Sequence, residues 1–423
     1  GGDQLVPLPP PSAEGVILLD SDGPYQVADI SSAGPLVLRG ADGRHPLVVI
    51  TDEPLRIWAQ QVVLENIRFV TQEATPTRIA HGLSATTNRA THPAKAGRRP
   101  AALLLVRSQS FAVEHCVFQT HRVIPVATTV PASADKSITT LPRNGAGGSH
   151  APGDNQNSDT GRSHADRPEG PSSTDEELPV AWGAAGPPVA VAWKPLDAAE
   201  PMGRIVSFHN TVFVGQSTAV YLGGAAQHVS AGNCLKLGAG QMFDAAAEAL
   251  AGRTLRLALE HCTLRDAGAL LRLIWPTVAD RKWPSPESAS FQITINATDC
   301  VLDIDAAQAA LLEWLGPPTE AAWLASVEVR GGGSLIRPEL ALAAAVELPS
   351  GRRRDLDGSR LAVEGLMAPT YRFAGPIRLD WTQSTLSFCD APRTAALPPG
   401  IDASQLPAWP AGVARSGQPV REK

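Results

Sequence analysis

The sequence predicts an all-β protein, a right-handed parallel β-helix wound from imperfect repeats. Three observations predict it: a recurring short pattern, columns of similar residues when its copies are aligned, and a composition suited to many short strands. The pattern reads VVLENIRFV from Val62, FAVEHCVFQ from Phe111, VSFHNTVFV from Val206 and LALEHCTLR from Leu257, with an irregular copy, ITINATDCVLD, from Ile293. Apolar residues alternate ahead of a polar pair, which is the period-two signature of a strand, and the Asn, His or Asp within the pair suits a tight bend. Each copy therefore reads as strand, bend, strand.

Alignment of the copies gives one column of small or medium residues, Ile67, Cys116, Thr211, Cys234, Cys262 and Cys300, fit to pack in a narrow interior. The column before it holds Asn66, His115, Asn210, Asn233, His261 and Asp299. Thr211 and Cys234 are 23 positions apart and Cys234 and Cys262 are 28 apart, a spacing that fits one solenoid coil. A further strand precedes the pattern in several coils: AALLLV at Ala101, VAVAW at Val189, TAVYL at Thr218, ALLRLIWP at Ala269 and ALLEWLGP at Ala310. Stacked at ~4.8 Å, such strands form long parallel sheets whose inward side chains make continuous ladders. Phe243 to Gly252, FDAAAEALAG, has helix-forming composition and a terminal Gly, so a short helix is expected there.

Composition agrees with this reading and excludes several functions. Aromatic residues make up only 5% of the chain while Gly and Pro number 37 each, which favours strands joined by turns. The net charge of −6 comes with no basic stripe, so nucleic acid is not an expected partner. The apolar run from Leu340 to Leu348 falls short of the ~18–20 residues that span a bilayer, and no membrane span is expected. The sequence starts at Gly1, which leaves room for a leader, an anchor or an upstream domain, and an extracellular or cell-envelope location is expected. The five cysteines are widely spaced, with no CxxC pair, and no cofactor or metal is expected.

The period divides the chain into an N-terminal arm or cap over 1–20, the β-helix over 21–390, and a Pro- and Gly-punctuated tail over 391–423, read as a loosely attached arm. Two insertions interrupt the solenoid, 72–99 and 127–186. The second carries too little apolar surface to offset ordering a chain at ~1–2 kcal/mol per residue, so both are expected to be disordered.

With coils of this length, Asn, His or Asp at the bend and a small-residue ladder, the chain resembles the pectin-lyase-like superfamily of right-handed parallel β-helices. The resemblance covers roughly 15–72, 101–126, 187–276 and 288–390. It implies an N-terminal cap and, in many members, cleavage of acidic polysaccharides by carboxylates and Arg or Lys on one outer sheet, often with calcium. The Asp-Asp and Gly-His-Gly signatures of the galacturonan hydrolases and the paired-Arg motif of the calcium-dependent lyases are absent here. Similar segments accompany signalling modules such as bacterial protein kinases, but this chain has no Gly-rich nucleotide loop, HRD or DFG.

The cysteine column reads as free thiols packed as small hydrophobes, because a ladder of parallel side chains does not give a disulfide its converging Cβ vectors. His115 and His261 sit in the bend column, separated by the coils of Thr211 and Cys234, which argues against metal ligation. The densest charged cluster is Glu260, Arg265 and Asp266 on one coil with Asp299, Asp303 and Asp305 on the next, where two carboxylates about 5–10 Å apart across a groove can hydrolyse a glycosidic bond. Solvated loop ends explain the same residues. Parity places Trp275 and Trp314 inward, with Trp193 also a core residue, and turns Arg272 and Glu313 outward as an exposed pair between coils.

These features point to a non-catalytic binding or scaffold module that recognises a polysaccharide or a protein. The alternative is a divergent polysaccharide lyase or glycoside hydrolase whose candidate residues are Glu260, Asp266, Asp299, Asp303 and Asp305. A third possibility is a structural segment that presents the insertions.

Overall fold

A computed structural model describes residues 5–51, 53–71, 102–120, 189–197, 204–275, 291–305, 307–318, 321–337, 339–348, 350–366 and 399–407. These belong to one unit of the chain, 1–122 with 178–423, and both insertions, 72–99 and 127–186, lie wholly outside them. The unit is a parallel β-helix of three sheets, here called A, B and C, each of ten strands. One coil runs through sheet C at Thr218–Leu222, sheet B at His228–Gly232, a bend, and sheet A at Leu235–Leu237. The next repeats the order at Phe243–Ala246, Thr254–Glu260 and Thr263–Ala267. Register is held from coil to coil: Phe111, Val206, Val229, Leu257 and Ile295 lie in one ladder of sheet B. At the C-terminal end of sheet C the chain turns back, and Arg352–Asp355 pairs antiparallel with Ala343–Glu347. At the other end, part of the stretch expected as an arm or cap supplies edge strands, Val6–Pro7 in sheet A and Val16–Leu19 in sheet B.

The bend column has one backbone conformation. Asn66, His115, Asn210, Asn233, His261 and Asp299 all have positive φ, between 48° and 55°. Asn, Asp and His are the non-glycine residues that best tolerate this left-handed region, so the column is a direct consequence of the turn. The side chains add ladder bonds, such as Asn233 Nδ2 to Asn210 Oδ1 at 2.7 Å.

Each bend turns the next residue inward, and Ile67, Cys116, Thr211, Cys234, Cys262 and Cys300 are all buried. The four cysteines among them are free thiols. Beside them Phe69, Phe118 and Phe213 stack at centroid distances of 5.1 and 5.2 Å. Trp275 and Trp314 stack at 5.6 Å inside the core, as parity requires, and Trp193 is fully buried.

The outward faces differ. Strands of sheet B alternate buried and exposed, whereas from Ala102 onward strands of sheets A and C are mostly buried on both faces, as in Thr218–Leu222. The sequences match: sheet C runs such as VAVAW are continuously apolar, and sheet B runs alternate. Phe243 to Gly252 is not the expected α-helix. Phe243–Ala246 is a strand pairing with both neighbouring coils, and only Ala247–Leu250 forms a 3-10 turn, because the ladder outweighs the helix propensity of Ala. Within the tail, 399–407 lies against sheet A, with Ile401 and Leu406 packed on Val117, Val212, Leu235 and Leu237.

Candidate ligand surfaces and buried charges

The charged cluster expected on two coils is divided by the bend. Glu260 ends an exposed face of sheet B, and Asp299 occupies the bend itself, where its carbonyl accepts from Gly400 N–H at 2.7 Å. Asp305 accepts from Ala307 N–H at 3.1 Å and shapes its own turn. Only Asp266 and Asp303 converge, on the outward side of sheet A. Asp303 is 3% exposed, lies beside Arg265 in register, and is ion-paired with Arg337. Burial raises the Asp303 carboxyl above its ordinary range, against the pull of Arg337. Asp266 sits on a bulge with φ 47°, and its carboxylate is 4.0 Å from Arg337. This is one carboxylate held by an Arg with a second at its rim, which suits charge neutralisation better than acid and base across a cleft. Arg337 was not legible as a partner, since it lies 34 residues beyond Asp303.

Sheet C holds a ladder of which two members, Arg272 and Glu313, are expected from the sequence as an exposed pair. Tyr221, Asp244, Arg272 and Glu313 are register partners on four successive coils. Asp244 is fully buried, and Arg272 grips both its oxygens through Nε at 2.9 Å and Nη2 at 2.8 Å. Thr218 donates to the same carboxylate at 2.8 Å. Glu313, the partner expected for Arg272, is 4% exposed, and burial raises its carboxyl despite the nearby Arg272. The expected exposed pair is thus a buried network centred on Asp244. Asp244 escaped notice because it was read as part of a helix.

Lys236 is the least expected interior residue. Its register partners are Phe213 and Leu264, both inward, so a lysine occupies a core position of sheet A. Its ammonium reaches the end of the strand and donates to the carbonyls of Gly215, Leu237 and Gly238 at 3.0, 3.3 and 2.7 Å. Burial lowers its pKa to about 7. The signal was present in the alignment, because Lys236 falls in the column of Phe118, Phe213 and Leu264.

Sheet B offers the open surface. Over five coils its middle outward lane is Val63, Ala112, Ser207, Ser230 and Ala258, all short side chains in register, and Asn296 and Arg330 continue it on the next two. Mostly longer residues flank it: Glu65, Glu114, His209 and Glu260 on one side, Gln61, Ile205, His228 and Arg256 on the other, where Ser110 is the short member between Gln61 and Ile205. Gly232 interrupts the first flank, and a Cβ there would lie 2.6 Å from His209 Nδ1, so the glycine lets that imidazole lie over the next coil. His115 Nδ1 lies 3.8 Å from Glu114. Among the described residues no group of three or more His, Cys, Asp or Glu is placed to hold a metal ion. Burial pushes the Cys116 thiol up to about 12 and raises Cys262, while Cys300 is raised chiefly by its bond with Cys262. These thiols pack as small neutral groups.

Compared with protein families, curated proteins and solved structures, the chain matches none.

Proposed function

We propose that the chain is a non-catalytic binding module whose ligand is a polysaccharide lying along the stacking axis on the outer face of sheet B. One observation carries the reading: among the described residues, sheet B keeps its outward side chains exposed or half-buried along the solenoid, whereas those of sheets A and C are largely buried. The lane of short residues between polar flanks is a shallow trough that repeats its hydrogen-bonding groups at each coil, about 4.8 Å apart. A repeating hydroxylated chain meets such a face better than a folded protein does, because protein interfaces centre on apolar and aromatic anchors. Ile205, at 46% exposed, is the largest apolar side chain that the central part of this face presents. The resemblance to pectin-lyase-like β-helices supports the same ligand class.

A hydrolase or lyase reading has less support. Asp303 is committed to Arg337, Asp305 to its own turn, and Glu260 lies on a different sheet from both. The test is retention on a panel of plant and bacterial cell-wall polysaccharides by affinity electrophoresis, with Ser230→Trp and Ala258→Trp filling the lane. Retention that falls at least tenfold in both variants, at unchanged thermal stability, supports the reading. Absence of retention on every polysaccharide, or retention indifferent to both tryptophans, removes it. Release of unsaturated or reducing ends, abolished by Asp266→Ala or Asp303→Ala, replaces it with the enzymatic alternative.

A further inference from the structure

A solenoid face meets a polymer by repetition, because each coil presents the same lanes about 4.8 Å further along the axis. A polymer charged on every unit therefore needs a counter-charge that recurs at a fixed interval. None of the three lanes on the outer face of sheet B supplies one. From the coil of Val63 to that of Ala258, the lane nearer the bend reads Glu65, Glu114, His209, Gly232 and Glu260. Carboxylates thus stand on the first, second and fifth coils, neither on every coil nor on every other one. The two that are adjacent have basic neighbours, since Arg39 is the register partner of Glu65 and His115 Nδ1 lies 3.8 Å from Glu114. The opposite lane carries a single cation, Arg256. The middle lane has no charge from Val63 to Asn296, and Arg330 beyond it is ion-paired with Glu328 at 2.7 Å.

The centre of the face is built differently from its ends. Two adjacent strands, Ile205–His209 and His228–Gly232, hold no Asp, Glu, Lys or Arg. Ser207 and Ser230 are register partners in the middle lane, with His209 on one flank and His228 on the other. A Cβ on Gly232 would lie 2.6 Å from His209 Nδ1, so the missing side chain is what lets the imidazole lie over the coil of Ser230. Hydroxyl and imidazole groups both donate and accept hydrogen bonds, as sugar hydroxyls do. Ile205, the register partner of His228, adds one exposed apolar contact suited to the C–H face of a sugar ring.

We propose that the ligand of sheet B is an uncharged polysaccharide held at a central subsite of Ser207, Ser230, His209 and His228, an assignment that rests on the sheet B reading and narrows it. Gly232 is the positioning residue, because it sets the His209 imidazole over the next coil. Glu114 precedes this subsite and Glu260 follows it along the bend-side lane. A polyanion laid along the axis meets both carboxylates, and a polycation finds no counter-charge between them. Hydroxyls, rather than carboxylates or amines, are what the subsite selects.

The experiment is affinity electrophoresis of the full chain at pH 8 on three sets of polymers: uncharged β-glucans, xylans, mannans and galactans; the polyanions galacturonan and alginate; and the polycation chitosan. The best-retaining uncharged polymer is then tested again after partial carboxymethylation. The expected result is retention on at least one uncharged polymer, at least tenfold stronger than on any charged one and lost on carboxymethylation. It should change less than about twofold between low and high salt, since no ion pair holds the ligand. His209→Ala and Gly232→Ala should each lower it at least tenfold, with thermal unfolding showing that both variants are folded. Equal or stronger retention on a polyanion or on chitosan, weakening with salt and lost in Ser230→Trp, overturns the uncharged ligand while leaving the sheet B face in place. Uncharged retention that is indifferent to His209→Ala overturns the central subsite. Absence of retention on every polymer overturns this assignment together with the reading beneath it.

Discussion

Replacing Lys236 by Met should make the protein more stable at pH 6 and remove a stability gain that wild type shows on going to pH 8.5. The ammonium is fully buried between Phe213 and Leu264, with three carbonyls and no carboxylate as its hydrogen-bond partners. Its pKa falls from the ordinary 10.5 to about 7, which disfavours the charged form by about 5 kcal/mol at 1.36 kcal/mol per pKa unit. The native pKa lies below the unfolded one. Above pH 7 the native state therefore holds fewer protons than the unfolded chain, and stability rises with pH until the unfolded lysine titrates near 10.5. Integrated from pH 6 to pH 8.5, the gain is about 2 kcal/mol.

Methionine has similar length and no charge, so at pH 6 the variant should exceed wild type by about 1–4 kcal/mol, as when other buried charges give way to apolar groups. That advantage should shrink by about 2 kcal/mol at pH 8.5. The upper limit of the window matters, because Cys116 is raised from 9.0 to about 12 and contributes stability that is lost as pH climbs past 9. The assay is urea unfolding of both proteins at intermediate pH values, followed by emission of the stacked Trp275 and Trp314. A difference between wild type and variant that stays flat across the range refutes the reasoning, since Lys236 would then keep its proton in the folded state.

Three other outcomes follow from the same geometry. Arg272→Ala strands the buried Asp244 carboxylate and should cost about 3–5 kcal/mol in urea unfolding, whereas the pair Arg272→Met with Asp244→Leu should recover most of that loss. At the bend, His115→Gly should be close to neutral and His115→Val should lower stability by about 1–3 kcal/mol, because only the second must force a β-branched residue to φ 51°. The thiols of Cys116, Cys234, Cys262 and Cys300 should resist a colourimetric disulfide reagent at pH 8 in the folded chain and react on addition of guanidinium; rapid modification of all four without denaturant contradicts their placement.

The solenoid was legible because two local rules coincide once per coil. A residue that tolerates positive φ must stand at Asn66, His115 and their equivalents, and a small buried one must follow it at Ile67 or Cys116. Strand parity then oriented Trp275 and Trp314 correctly, since alternation across a strand is a property of the backbone alone. What alternation does not reveal is whether the outward side is covered. Arg272 and Glu313 point away from the interior as read, yet both belong to a buried network. Contacts between distant parts of the chain were equally hidden. Arg337 meets Asp303 across 34 residues, and Asp402 meets Asn233 across 169, with nothing in either local sequence to announce the partner. Lys236 was a different kind of miss, because a charge in an apolar column reads as a surface residue until its column is followed through Phe213.

The reversal of the chain at Arg352–Asp355 bears on how the molecule behaves in a crowd of its own copies. A stack of parallel strands is in principle endless, since its last rung offers the next molecule the same template it was built on. Among the described residues, the last rung of one sheet is turned head to tail and studded with arginines, while at the opposite end Pro7 removes an amide from the edge of another. Edge-to-edge fibre growth is thereby opposed at two of the described sheet margins through which it would start.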